Sequence, residues 1–157
     1  MRLAFALLAV LAFAVPAARA AAPIAETFSI EDARGTVTIR GTGIVIGRLE
    51  RGDIQIVDLT PLDQWSPRVN GVPRGKTVGM RGKDVNFYVP GGRYRIVVRG
   101  EGFSISARGQ GSVVLDGSPD VNGSTGTFAV GDAAAAPVPA GGEKVTFGAQ
   151  PTPKGSS

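Results

Sequence analysis

From residue 34 to residue 117 apolar and polar residues alternate with a period of two, and glycine interrupts the alternation at short intervals. Val37 and Ile39 alternate with Thr36, Thr38 and Arg40. Val85, Phe87 and Val89 alternate with Asn86 and Tyr88, Tyr94, Ile96 and Val98 with Arg93, Arg95 and Arg99, and Phe103, Ile105 and Ala107 with Ser104 and Ser106. Successive side chains of a strand point to opposite faces, so each run has one apolar and one largely polar side. That is the pattern of antiparallel strands with one face in water. Ile44-Val45-Ile46 and Ile54-Gln55-Ile56-Val57 complete the set, and no capped stretch with a 3.6-residue repeat competes with it. The fold class that follows is all-β.

The runs are also repeated. Arg40-Gly41-Thr42-Gly43-Ile44-Val45-Ile46, Arg81-Gly82-Lys83-Asp84-Val85-Asn86-Phe87 and Arg99-Gly100-Glu101-Gly102-Phe103-Ser104-Ile105 share one form, Arg-Gly followed two residues later by Gly or Asp and an alternating apolar stretch. Each continues through glycine, at Glu50-Arg51-Gly52, Pro90-Gly91-Gly92 and Gly109-Gln110-Gly111, into a further apolar run. Glycine supplies the positive φ of tight reversals, so the expectation is an antiparallel meander of three hairpins forming a small β-sandwich or barrel. A β-solenoid is the alternative that short glycine-punctuated repeats also suit. Residues 60–80 then read as a loop inserted between equivalent hairpins.

On either side of residues 34–117 the character changes. Residues 1–20 carry Arg2, thirteen apolar residues and Ala18-Arg19-Ala20, the signature of a cleaved secretory signal peptide, with Ala21 as the expected mature N-terminus. The apolar run falls short of the roughly 20 residues that cross a bilayer. Residues 21–33, with Glu26, Glu31 and Asp32, read as an acidic leader, and residues 118–157, with few and scattered apolar residues, as a flexible low-complexity tail. The chain is thus expected to be exported, to the envelope or the medium, with no integral membrane segment after cleavage. The excess of Arg over Lys and the abundance of Ala and Gly suggest a GC-rich genome and a bacterial source.

Composition then removes chemistry. There is no histidine and no cysteine, which excludes Ser-His and Cys-His nucleophile pairs, thiol chemistry and disulfide staples. Cleavage after Ala20 leaves 15 basic against 13 acidic residues, too balanced for a nucleic-acid footprint. No cofactor and no metal site is expected. Asp120-Val121-Asn122-Gly123-Ser124 has the alternating oxygens of a calcium loop but neither its glycine at the sixth position nor its terminal Glu. Arg51-Gly52-Asp53 is an ordinary turn composition, and the sequon Asn122-Gly123-Ser124 means little in a bacterial chain.

Two candidate binding surfaces remain. Arg93, Arg95 and Arg99 share strand parity and so leave one face. With Asn86, Tyr88, Ser104 and Ser106 expected on adjacent strands, that face suits an anionic envelope polymer or glycan. The plain alternative is a solvated face whose charge deters edge-to-edge association. The second surface is the inserted loop, where Trp65 stands near Asp63 and Arg68 in a setting able to stack on and hydrogen-bond a sugar. For catalysis only the carboxylates Asp58 and Asp63 form a defensible pair, so no catalytic residue is assigned. The functional reading is a non-catalytic binding or structural element of the cell envelope. An extracellular hydrolase acting on a glycan or other polymer is the alternative.

Overall fold

The structure, a computed structural model, describes residues 25–60 and 66–148; the expected signal peptide, residues 1–20, lies outside them. Among the described residues there is no helix, and eight strands follow in order: β1 (Glu26–Asp58), β2 (Arg68–Val69), β3 (Val72–Pro73), β4 (Thr77–Val89), β5 (Arg93–Gly117), β6 (Thr127–Val130), β7 (Ala136–Pro137) and β8 (Glu143–Phe147). All pairings are antiparallel, and the sheet is open, its main path ending at β3 and β8.

The register of the two long strands determines the architecture. Residues 35–42 of β1 pair on one side with residues 93–100 of β5 and on the other with residues 110–117, so that Thr36 lies opposite both Arg99 and Asp116. Residues 26–30 and 43–49, the segments before and after, both flank residues 103–109 of β5. A flat sheet cannot carry one strand into the same neighbouring row at both of its ends; the sheet must wrap around. The result is two layers. Layer A holds residues 77–83, 51–58, 93–100, 35–42 and 110–117 and β8; layer B holds β3, β2, residues 85–89, 43–49, 103–109 and 26–30, β6 and β7. The arrangement is an antiparallel ribbon wound into a two-layered coil.

The glycines expected to reverse the chain instead turn it through a corner. Gly52 lies opposite Gly82 on one side and Gly100 on the other, and Gly35 lies opposite both Gly100 and Gly117, so five glycines line one seam between the layers. Gly52 has φ +148 and Gly100 φ +150. A Cβ on Gly52 would drive into the carbonyl oxygen of Arg99, and one on Gly100 into that of Arg51. Pro90-Gly91-Gly92 likewise carries the chain from layer B to layer A, and β1 lies between β4 and β5, which do not pair. Positive φ serves a continuing corner as well as a hairpin, which is why the sequence pattern fits both.

Three boundaries differ from expectation. Residues from Glu26 onward, assigned to an acidic leader, belong to β1: Phe28, Ile30 and Ala33 are buried while Glu31 and Asp32 stay in solvent, with a register slip between Ile30 and Ala33. The inserted segment contributes β2, β3 and the start of β4. Asn70 and Gly71, with φ 49 and 75, form the two-residue reversal between β2 and β3. Residues 118–148, expected as a flexible tail, supply β6, β7 and β8. Their few apolar side chains suffice because they cover a core that already exists: Val138 and Phe147 are buried, and the Phe147 ring lies 6.0 Å from that of Phe28, itself 6.5 Å from Phe128.

The alternating apolar residues converge as expected. Val37, Ile39, Ile54, Ile56, Ile96 and Val98 from layer A meet Val45, Leu49, Val85, Phe87, Phe103 and Ile105 from layer B in a single cluster. Phe147→Ala empties part of that cluster, and the expected loss is about 3 kcal/mol of unfolding free energy in urea titrations. An unchanged midpoint would show that β8 is not part of the folded unit.

Candidate anion-binding face

Residues 93–100 run through layer A with a β1 segment on each side, so their outward side chains occupy the middle of a face and not its rim. Tyr94, Ile96 and Val98 enter the core, which leaves Arg93, Arg95, Val97 and Arg99 facing out. The register sets Arg40 directly opposite Arg95, Thr42 opposite Arg93, Thr38 opposite Val97 and Thr36 opposite Arg99. On the other side Asp53 faces Arg99, Gln55 faces Val97 and Val57 faces Arg95. Ser112 lies across from Arg40 on its far side.

The charges on this face are not evenly balanced. Asp53 lies between Arg81 and Arg99, at 4.0 and 3.9 Å, which are weak, solvent-screened pairs. Arg40, Arg93 and Arg95 have no carboxylate within 4.0 Å among the described residues. Like charges directly opposite on adjacent strands disfavour the pairing by up to about 1 kcal/mol. The face thus concentrates guanidinium groups, hydroxyls and a small cost that an anion would relieve.

Arg40 belongs to this site and was not singled out from the sequence. Its parity was visible in the run Thr36 to Arg40, but only the register places it beside Arg95. The expected neighbours Asn86, Tyr88, Ser104 and Ser106 are elsewhere, on the outer side of layer B, because the chain turns a corner after Gly100 where a hairpin would have returned it to the same layer. There Tyr88 faces Ile46, which faces Ser106, and Asn86 faces Arg48, which faces Ser104. Arg68 is on that side too, opposite Tyr88. Trp65 and Asp63 lie outside the described residues.

Other sequence candidates are engaged in local structure. Asp58 Oδ1 accepts hydrogen bonds from the Thr60 backbone N–H at 2.8 Å and the Thr60 hydroxyl at 3.3 Å, while the Thr60 hydroxyl oxygen accepts from the Arg93 N–H at 2.9 Å. Asp58 therefore shapes the chain that leaves β1. Asp120 Oδ1 accepts from the N–H groups of Asn122 and Ser124, both at 2.8 Å. The bond from Ser124, then that from Asn122, hold its carboxyl below the usual carboxylate range. In the Arg51-Gly52-Asp53 tripeptide, Arg51 pairs with Glu101 at 3.2 Å, and Glu101 also binds Arg34, beside an open notch of about 530 Å³ at the glycine seam. Among the described residues no three acidic side chains are grouped to hold a metal ion.

Comparison with protein families, with curated proteins and with solved structures finds no match to this chain.

Beneath the Arg face, Tyr94 is buried and its hydroxyl has no hydrogen-bond partner among the described residues; burial pushes its pKa up to about 12. The unfolded chain releases this proton near pH 10 and the folded chain does not, so Tyr94 contributes stability that is complete below pH 10 and is lost as pH rises from 10 toward 12. In chemical denaturation Tyr94→Phe should flatten that decline. At pH 7 it should match or exceed the parent by about 1 kcal/mol, because it removes an unpaired buried group. A variant less stable at pH 7 would reveal a hidden partner for the hydroxyl.

Proposed function

We propose that this chain is an exported, non-catalytic binding element of the bacterial envelope, and that the outer face of layer A holds an anionic ligand there. The observation that carries the reading is the placement of Arg40 opposite Arg95, with Arg93 beside them and no carboxylate within 4.0 Å among the described residues. Guanidinium groups form charge-assisted, often bidentate hydrogen bonds to phosphate and carboxylate, so the cluster has the chemistry to retain an anion. The hydrophobic leader at residues 3–15 supports export. A binding role also suits a chain without histidine or cysteine, whose Asp58 is committed to a turn.

Changing Arg40, Arg93, Arg95 and Arg99 together to Ser is expected to abolish retention on an anionic cell-wall preparation. The fold should survive, since exposed substitutions rarely cost more than about 0.5 kcal/mol each. Retention of the parent is expected to weaken steeply with salt, because exposed charges are screened over roughly 10 Å at 0.1 M. Salt-insensitive retention that disappears with Trp65→Ala would place the site in the loop at residues 60–80 instead. Export is checked separately by intact mass of the secreted protein, expected to begin at Ala21.

A further inference from the structure

We propose that the anions this face selects are phosphate groups carried on a linear polymer, an inference that rests on the binding role proposed for the Arg face. Arg40 is the centre of the site. It has Arg95 and Ser112 across its two ladders and Thr38 and Thr42 two residues away on its own strand, all sharing its face. Two arginine side chains thus leave the face from directly opposed positions on strands about 4.8 Å apart, with the hydroxyl residues Thr38, Thr42 and Ser112 around Arg40. A carboxylate is planar and its two oxygens are matched by a single guanidinium fork. The two charged, non-bridging oxygens of an in-chain phosphate project from a tetrahedral centre and accept out of the O–P–O plane as well as within it, which leaves room for a second fork and for hydroxyl donors. Lysine would supply the same charge without the fork.

The extent of the row argues for a polymer. Arg93 and Arg99 are six residues apart on one extended strand, about 20 Å, a span that meets several charges along a chain. A membrane surface is the other abundant source of phosphate, but it also takes up protruding apolar side chains. On this face the strands carry the short apolar Val57, Val97 and Val114, and the larger Leu59 stands exposed at its end, where its N–H bonds the Arg93 carbonyl. The exposed Ile44, Ile46 and Tyr88 point away from it, on layer B.

The test measures retention of the full mature chain on immobilised long-chain inorganic polyphosphate, on poly-L-glutamate of matched charge density and on phosphatidylglycerol vesicles, at one ionic strength. Polyphosphate should bind roughly tenfold more tightly than poly-L-glutamate, about the worth of one added charge-assisted hydrogen bond. The double change Arg40→Lys with Arg95→Lys should keep salt-dependent binding to both while bringing their affinities together. Equal affinity of the parent for the two polymers would overturn the phosphate preference and leave the anion-binding face standing. Retention on neither would overturn both. Tighter binding to the vesicles than to polyphosphate would overturn the polymer and assign the face to lipid headgroups.

Discussion

The main-chain ladder between β1 and β5 is the constraint on which the rest depends. Residues 35–42 are hydrogen-bonded on both sides to β5, to stretches seventeen residues apart, as Arg99 and Asp116 opposite Thr36 show. A slip of one residue in either ladder would exchange the buried and exposed sets of the strand. Because two ladders share it, the slip would break both. The register thus fixes which side chains form the core, which glycines meet at the seam and which arginines meet on the face. It also lets a chain without a disulfide hold a coil, since the central strands are restrained on both edges by pairings distant in sequence.

How much of this was legible follows from the range of the interaction responsible. Parity is local, so the inward sets around Val37, Val85, Ile96 and Phe103 were readable from the sequence and are buried in the structure. The shared exit of Arg93, Arg95 and Arg99 was readable for the same reason. Partnership is not local. A glycine with positive φ is compatible with a hairpin or with a corner, and nothing near Gly52 or Gly109 states which. The wrong connection carried Asn86 and Ser104 to the wrong face and hid Arg40. The C-terminal strands were missed for a related reason: Phe128, Val138 and Phe147 are too sparse to build a core, yet each docks against one that β1 and β5 have already made.

Charge placement bears on two explanations that the sequence left open. Charged side chains on an exposed strand deter edge-to-edge pairing, and that accounts for Arg81 and Lys83 on the unpaired side of β4 and for Lys144 on β8, the strands at the two ends of layer A. Layer B ends instead in two-residue strands that carry Pro73 and Pro137, which remove donors from the edge. Edge protection has no use for Arg40 or Arg95. Each lies on a strand with a neighbour on both sides, where no further chain can pair, and setting them opposite each other costs stability. Arginine stems covering apolar surface would be served as well by one such residue alternating with a carboxylate, as Arg99 does with Asp53 in the row near the glycine seam. The contrast between these two rows of one face, one weakly paired to a carboxylate and one with none within 4.0 Å among the described residues, is the physical argument that favours the proposal at Arg40 and Arg95.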